Sequence, residues 1–175
     1  AIRLLDIDCK IIHVSRFEFQ KEIGLTLGAN EALTSRKELE QSIVNLPETK
    51  SYKPLVGRKV YTGGFDAVYD CIGSDESLDD ALRMVRARGK VTLVGCAAEI
   101  KRLDLSFVWA NELSVLGTHA YSKKEVWEGK GLSTHELLLE RIEQHKHYPL
   151  EQLATHEYSL EQYEEAIIAN LDREK

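Results

Sequence analysis

Residues 65–96 have the sequence FDAVYDCIGSDESLDDALRMVRARGKVTLVGC, and this stretch decides the fold. Its short apolar run at Ala67–Tyr69 predicts a strand buried on both faces of a parallel sheet. A second apolar run at Val91–Val94 predicts the next strand. Between the two runs, apolar residues recur with the spacing of one helix face at Leu78, Ala81, Leu82 and Val85. A strand, a crossover helix and a second parallel strand form a βαβ unit, so the sequence predicts an α/β fold.

Both ends of the predicted helix carry sequence signals. Ser77 followed by Asp80 predicts a capping box, in which the hydroxyl and the carboxylate each accept a hydrogen bond from a free backbone N–H. Gly89 predicts the left-handed residue that ends a helix. Three cationic side chains suit the negative end of the helix dipole: Arg83, Arg86 and Arg88.

Open sheets built from βαβ units bind ligands at the carboxyl ends of their strands. In this stretch those ends are Cys71–Gly73 and Gly95–Cys96. Glycine has no side chain and lets the backbone approach a ligand closely, so both segments are candidate binding residues. The alternative is that Gly73 and Gly95 only form turns of the βαβ unit.

Composition narrows the class of protein. The chain has 175 residues, a formal net charge of −6 and no basic stripe, which argues against nucleic acid as a partner. Its three cysteines form no C-x-x-C pair, so we expect reduced thiols in a cytoplasmic protein rather than a disulfide framework. No apolar run approaches the roughly 20 residues of a membrane-spanning helix, so no membrane partner is expected. The chain opens on Ala1 rather than Met, and we interpret it as a fragment.

Strands and helices also alternate through the rest of the chain. Further strands are predicted at residues 9–15, 30–33, 113–119 and 155–158, and further helices at residues 16–28, 36–46, 105–112, 133–145 and 160–171. Residues 48–64 and the segment around Lys130 lack periodicity and are predicted to be loops. No G-x-G-x-x-G turn, the usual dinucleotide fingerprint, occurs in the sequence.

Five segments carry a family resemblance: HVSR at 13–16, LGANEAL at 27–33, the stretch 65–95, NELSVLGTHAYS at 111–122 and ATHEYSLEQYEEAI at 154–167. In this order they resemble the carboxy-terminal half of zinc-dependent alcohol dehydrogenases of the medium-chain dehydrogenase/reductase superfamily, over nearly the whole chain. The resemblance implies a Rossmann-like parallel sheet that lacks its first strand and glycine fingerprint, plus a short return into the catalytic domain. The implied domains are a partial dinucleotide-binding domain at 1–147 and the carboxy-terminal part of the catalytic domain at 148–175.

A parallel sheet that lacks its first strand leaves two strand edges unpaired. In the sheet order 3-2-1-4-5-6, the first strand lies between the second and the fourth. Without it, the strands predicted at residues 9–15 and at Ala67–Tyr69 each keep an unpaired edge. We therefore expect such a chain to aggregate, to exchange strands, or to need a partner that fills the gap.

Ser15 and Arg16 follow the strand that the resemblance makes the second of the sheet. An acidic residue there would bind the ribose hydroxyls of NAD and repel a 2′-phosphate. A small hydroxyl followed by a guanidinium does the reverse, because arginine binds phosphate through charge-assisted hydrogen bonds. NADP is therefore predicted over NAD. The alternative is that Ser15 caps the next helix and Arg16 is simply solvated.

The resemblance implies further contacts with the cofactor. Cys71, Ile72 and Gly73 match the wall on the adenosine side, Val94, Gly95 and Cys96 match contacts near the nicotinamide ribose, and Thr118, His119 and Ala120 match the segment that holds the carboxamide. His119 is interpreted as a bystander rather than as an acid or base. His145 and His147 flank Lys146 without a third ligand, which is typical of a cationic helix end and not of a metal site.

The predicted function is the coenzyme-binding part of an oxidoreductase that transfers hydride between an alcohol or carbonyl substrate and NAD(P). Zinc ligands of this family precede the matched half, and none of the three cysteines or six histidines corresponds to them. The parent is therefore predicted to be an enzyme, whereas no catalytic or metal-binding residue is predicted in this chain. A homodimer or tetramer is expected.

The alternative is a non-catalytic nucleotide-binding or interaction module derived from such an enzyme. A methyltransferase-like domain is a weaker alternative, because it also needs a glycine-rich first turn.

Overall fold

The computed structural model describes residues 1–55, 57–95 and 99–171. Its strands are β1 (Ile12–Val14), β2 (Glu31–Leu33), β3 (Lys50–Tyr52), β4 (Val60–Thr62), β5 (Phe65–Asp70), β6 (Val85–Leu93), β7 (Ser114–Gly117), β8 (Glu125–Trp127) and β9 (Lys130–Leu132). Its α-helices are α1 (Glu18–Thr26), α2 (Arg36–Val44), α3 (Asp75–Met84), α4 (Ser106–Ala110), α5 (Thr134–Gln144) and α6 (Tyr163–Leu171). Short 3-10 helices occupy Leu150–Leu153 and Leu160–Gln162.

The chain divides into two compact units, the first made of residues 1–34 and 138–175. In this unit β1 and β2 pair in parallel, with Val14 opposite Leu33. Helix α1 lies directly on β1, since a Cβ added at Gly24 would come within 2.5 Å of the His13 ring. The two chain segments are joined by hydrogen bonds such as the one from the Tyr148 hydroxyl to the Leu27 carbonyl, at 2.5 Å.

The second unit comprises residues 35–137 and contains the three-stranded sheet β5-β6-β7. All three strands are parallel, and the register aligns Asp70 with Leu93 and Leu93 with Gly117. The last residues of the three strands therefore lie side by side along one edge of the sheet, the edge formed by the carboxyl ends of the strands. Helix α3 covers one face of the sheet through a core of Leu78, Ala81, Leu82, Val85, Val91 and Leu113. The predicted α/β fold with a Rossmann-like parallel sheet is confirmed.

Helix α3 begins and ends differently from its prediction. Its N-cap is Ser74, whose hydroxyl accepts a hydrogen bond from the Ser77 N–H at 3.1 Å, so the predicted capping box of Ser77 and Asp80 is wrong. The helix ends at Met84, and the left-handed residue after it is Arg88, within β6 and with φ of 59°, and not Gly89. Gly89 is needed for space instead, because a Cβ there would lie 2.8 Å from the Arg86 carbonyl oxygen.

Three other predictions also fail. Residues 48–64, predicted as a loop, contain the antiparallel pair β3 and β4. The segment around Lys130 is the antiparallel hairpin of β8 and β9, with Glu128 and Gly129 at positive φ in its turn. No strand forms at residues 155–158, all of which the structure describes. Short strands of three residues carry too few side chains to show a period of two.

Four strands of the parallel sheets have one unpaired edge each. Within the described ranges, β1 and β2 pair only with each other, and β5 and β7 pair only with β6. The two strands for which the sequence predicts an unpaired edge, β1 and β5, are among the four. An unpaired edge exposes a row of N–H and C=O groups that can pair with another chain.

Candidate functional site

Ser15 lies immediately after β1 and continues its pairing with β2. Its N–H donates to the Leu33 carbonyl at 2.9 Å, and its hydroxyl is 3.5 Å from the same oxygen. The start of α1 is instead capped by Gln20, whose Oε1 accepts hydrogen bonds from the N–H groups of Arg16 and Phe17 at 3.2 and 3.3 Å. The interpretation of Ser15 as a helix cap is therefore wrong.

Arg16 presents an exposed guanidinium beside the end of β1. Its central carbon lies 5.3 Å from the centroid of the Phe17 ring, a distance that suits a cation–π contact. No carboxylate in the described part of the chain forms an ion pair with it. A guanidinium with no internal anion has its hydrogen-bond donors free for a phosphate group.

The segment after β5 is shaped by Asp70, a residue that the sequence reasoning missed. Asp70 is buried, with 5% of its surface exposed. Its Oδ1 accepts hydrogen bonds from the N–H groups of Ile72 and Gly73 at 3.0 and 3.1 Å, and Gly73 has φ of 76°. An aspartate that binds the backbone two residues ahead is a known turn former, so the sequence D-C-I-G contained a usable signal.

The segment after β6 packs against this turn. A Cβ added at Gly95 would come within 2.5 Å of the Ile72 carbonyl carbon and 2.7 Å of the Cys71 carbonyl carbon. Only glycine fits there, because the obstructing atoms belong to the backbone and have little freedom to move. Gly95 is therefore required by a close approach between two strand ends. Cys96 lies outside the described residues.

The segment after β7 continues the same edge. The Thr118 N–H donates to the Leu93 carbonyl at 3.0 Å, which places Thr118 next to the end of β6. Thr118, His119 and Ala120 are all exposed, and Ala120 has φ of 50°. The parallel register thus brings the candidate residues that follow β5, β6 and β7 to one edge of the sheet, with Ser15 and Arg16 in the other compact unit.

Metal-binding side chains are dispersed. Residues 1–55, 57–95 and 99–171 contain no group of three His, Cys, Asp or Glu side chains placed to hold a metal ion. His145 instead lies with its Nε2 3.3 Å from the Asp6 carboxylate. The residues that the structure describes do not fit a zinc site. Among the same residues, no helix is long and apolar enough to span a bilayer.

The Cys71 thiol sits in the strand-end turn. Desolvation of the sulfur and the negative charge of Asp70 raise the pKa of Cys71 above its usual value. Because the thiolate is the reactive form, we expect alkylation of Cys71 by iodoacetamide to begin at a higher pH than in an unfolded peptide of the same sequence. Peptide mapping between about pH 7 and about pH 10 measures the rates. The Asp70→Asn variant should shift the rise back to lower pH, whereas identical profiles for protein and peptide would contradict the assignment.

Comparison with known proteins places this arrangement in a family. A family model described as zinc-binding dehydrogenase matches residues 4–133. L-Idonate 5-dehydrogenase of Vitis vinifera is 26% identical over 115 residues, which cover 64% of this chain and 28% of that protein.

Solved structures share the fold at low sequence identity. L-Idonate 5-dehydrogenase from Escherichia coli K-12 is 16% identical with a TM-score of 0.69, covering 95% of this chain and 40% of its own. A short chain alcohol dehydrogenase from Escherichia coli CFT073, solved with the cofactor NADH, is also 16% identical, with a TM-score of 0.67 and coverage of 98% and 44%. The chain thus spans less than half of each of these proteins. With the family model matched over most of its length, the chain belongs to the zinc-binding dehydrogenase family.

Proposed function

We propose that this chain is the coenzyme-binding part of an alcohol dehydrogenase-like oxidoreductase that uses NADP in preference to NAD. The observation that carries the proposal is the common edge formed by the aligned ends of β5, β6 and β7 at Asp70, Leu93 and Gly117. Open parallel sheets bind ligands at this edge. Family membership and the NADH complex of the solved Escherichia coli relative support a nicotinamide dinucleotide as that ligand.

Each strand end has its own proposed contact with the cofactor. Cys71, Ile72 and Gly73 form the wall on the adenosine side, Val94, Gly95 and Cys96 contact the nicotinamide ribose, and Thr118, His119 and Ala120 hold the carboxamide. The close approach at Gly95 holds the ends of β5 and β6 next to each other, so that one ligand can contact both.

Arg16 supports the preference for NADP. Its guanidinium is exposed and carries no ion pair with any carboxylate in residues 1–55, 57–95 or 99–171. Ser15 adds a hydroxyl and no negative charge at the end of β1. Together they favour the 2′-phosphate of NADP over the free ribose hydroxyl of NAD.

The proposed reaction is a hydride transfer. The alcohol loses a hydride from carbon and a proton from oxygen to become an aldehyde or ketone, and the oxidised nicotinamide gains the hydride. The residues of this chain bind and orient the cofactor, and none is assigned a catalytic step. Since the described residues do not fit a zinc ion, no step is assigned through one.

The remaining proposals concern the whole protein. We assign residues 1–147 to a dinucleotide-binding domain and residues 148–175 to the return into a catalytic domain. We also propose a small-molecule alcohol, aldehyde or ketone as substrate, a homodimer or tetramer as the assembly, and the cytoplasm as the location. The cytoplasmic location is supported by Cys9 and Cys71, which are both free thiols.

The cofactor preference is testable with one substitution. Arg16→Ala is expected to weaken NADPH binding by about 10- to 100-fold, because it removes charge-assisted hydrogen bonds worth about 1.5–3 kcal/mol. NADH binding should change by less than about threefold, since NADH lacks the 2′-phosphate. Fluorescence titration of the purified protein with each cofactor measures both affinities.

Lys21→Ala is the matched control, because Lys21 lies on α1 and its charge is already paired with Glu18 at 3.4 Å. It should leave the affinity for both cofactors unchanged. Tighter binding of NADH than of NADPH by the unsubstituted protein would contradict the NADP preference. Binding of neither cofactor would contradict the proposed function as a whole.

A further inference from the structure

Asp70 holds the turn after β5 through its side chain. Its Oδ1 accepts from Ile72 and Gly73, as described above, and its Oδ2 accepts a hydrogen bond from the Ser77 hydroxyl at 3.0 Å. A buried carboxylate is costly unless hydrogen bonds replace its lost hydration. Three donors on one carboxylate meet this requirement, and they fix the turn in return.

The main chain of the same residue holds the segment after β6. The Asp70 carbonyl accepts hydrogen bonds from the N–H groups of both Val94 and Gly95, each at 2.9 Å. One residue is thus bonded to four backbone N–H groups in two separate strand ends. All four belong to residues proposed to contact the cofactor: Ile72, Gly73, Val94 and Gly95.

Capping of helix α3 does not explain the carboxylate. The Ser74 hydroxyl already accepts from the Ser77 N–H at 3.1 Å, and the Ser77 hydroxyl accepts from the Ser74 N–H at 3.0 Å. These two bonds form a reciprocal cap without Asp70. The carboxylate instead holds the turn that precedes the cap and connects β5 to α3.

We propose that Asp70 is a positioning residue for the nicotinamide cofactor. It does not reach the cofactor itself; its carboxylate fixes the backbone of Ile72 and Gly73, and its carbonyl joins that turn to Val94 and Gly95. This inference rests on the proposed function, which assigns those four residues to the cofactor. Loss of the carboxylate leaves the fold in place and lets the adenosine wall move.

The test compares Asp70→Ala with Asp70→Asn, whose amide oxygen still accepts from the two N–H groups. NADPH affinity is measured by fluorescence titration, and amide hydrogen exchange is followed at Ile72 and Gly73. Asp70→Ala is expected to weaken NADPH binding by about tenfold and to speed exchange at both amides, because two N–H groups lose their acceptor. Asp70→Asn should restore the affinity to within about threefold of the unsubstituted protein.

Asp66→Ala is the control, since Asp66 lies on the same strand with its side chain exposed and should change neither measurement. Unchanged NADPH affinity in Asp70→Ala, with faster exchange at Ile72 and Gly73, would overturn the positioning role alone. Equal losses in Asp70→Ala and Asp70→Asn would also overturn it, because the hydrogen-bond acceptor would then not be the cause. Failure of the unsubstituted protein to bind NADPH or NADH would overturn the proposed function and this inference together.

Discussion

Replacing Gly95 with alanine is expected to lower the free energy of unfolding by about 1–3 kcal/mol, the usual cost of forcing an extra group into a packed site. The new Cβ would lie 2.5 Å from the Ile72 carbonyl carbon and 2.7 Å from both the Ile72 nitrogen and the Cys71 carbonyl carbon. None of these atoms can turn aside as a flexible side chain would. The two strand ends must therefore separate, which also breaks the hydrogen bond from the Gly95 N–H to Asp70.

Urea unfolding followed by circular dichroism measures this loss. Gly117→Ala is the matched control, because it adds the same methyl group at the end of the neighbouring strand β7, where no other heavy atom of the described residues, apart from those of the two adjoining residues, lies within 4 Å of the new Cβ. Its unfolding free energy should change by less than about 0.5 kcal/mol. If Gly95→Ala is as stable as Gly117→Ala, the close approach of the two strand ends is wrong.

Leu82→Ala is expected to cost about 2–5 kcal/mol of stability, which is the usual range for removing a buried leucine side chain. Leu82 is 1% exposed and packs in the core between α3 and the parallel sheet. The surrounding side chains come from several elements, including α3, α4 and β6, so the cavity has little freedom to collapse. The penalty then includes both lost burial and lost packing contacts.

The matched control for this variant is Leu55→Ala, because the Leu55 side chain is fully exposed. It removes the same atoms from a side chain that is not buried. The urea unfolding midpoint of Leu55→Ala should therefore equal that of the unsubstituted protein. Calorimetric melting of both variants provides an independent measure. If Leu82→Ala has the same melting temperature as Leu55→Ala, α3 does not cover the sheet as described.

The parallel sheet could be predicted from the sequence because its strands contain apolar runs. Apolar runs at Ala67–Tyr69 and Val91–Val94, separated by a helix-period pattern, permit few other folds, and the structure has parallel strands at both places. The helices also agree to within a few residues. The predicted burial of strand β5 on both faces is wrong, because Ala67 and Tyr69 are exposed.

Element ends were harder to predict because local signals are degenerate. Ser74 and Ser77 are both followed three residues later by a side chain that can complete a cap, and only the structure shows that Ser74 is the N-cap. Arg88 takes the left-handed conformation beside a glycine that could have taken it more easily. There the path of the backbone at the irregular start of β6 outweighs the intrinsic preference of the residue.

The candidate site was predicted in part. The sequence located the strand ends, because they follow the apolar runs directly. It did not reveal the role of Asp70, whose hydrogen bonds from Val94 and Gly95 join residues more than 20 positions apart. Contacts of that kind depend on strand pairing and register, which no local pattern encodes.

The first compact unit is built from two segments that are far apart in the sequence, and this affects the order in which the chain folds. Residues 35–137 form one continuous segment, so they can complete their contacts as soon as they leave the ribosome. The other unit joins the two ends of the chain, through contacts such as Arg141 with Asp6 at 3.2 Å, and these must wait until more than 100 intervening residues are made. Closing so long a loop costs conformational entropy, and this cost is offset only when the contacts between the two segments have formed. Residues 1–34 are therefore made well before the residues from 138 onward with which they pack, and their contacts with that segment form late.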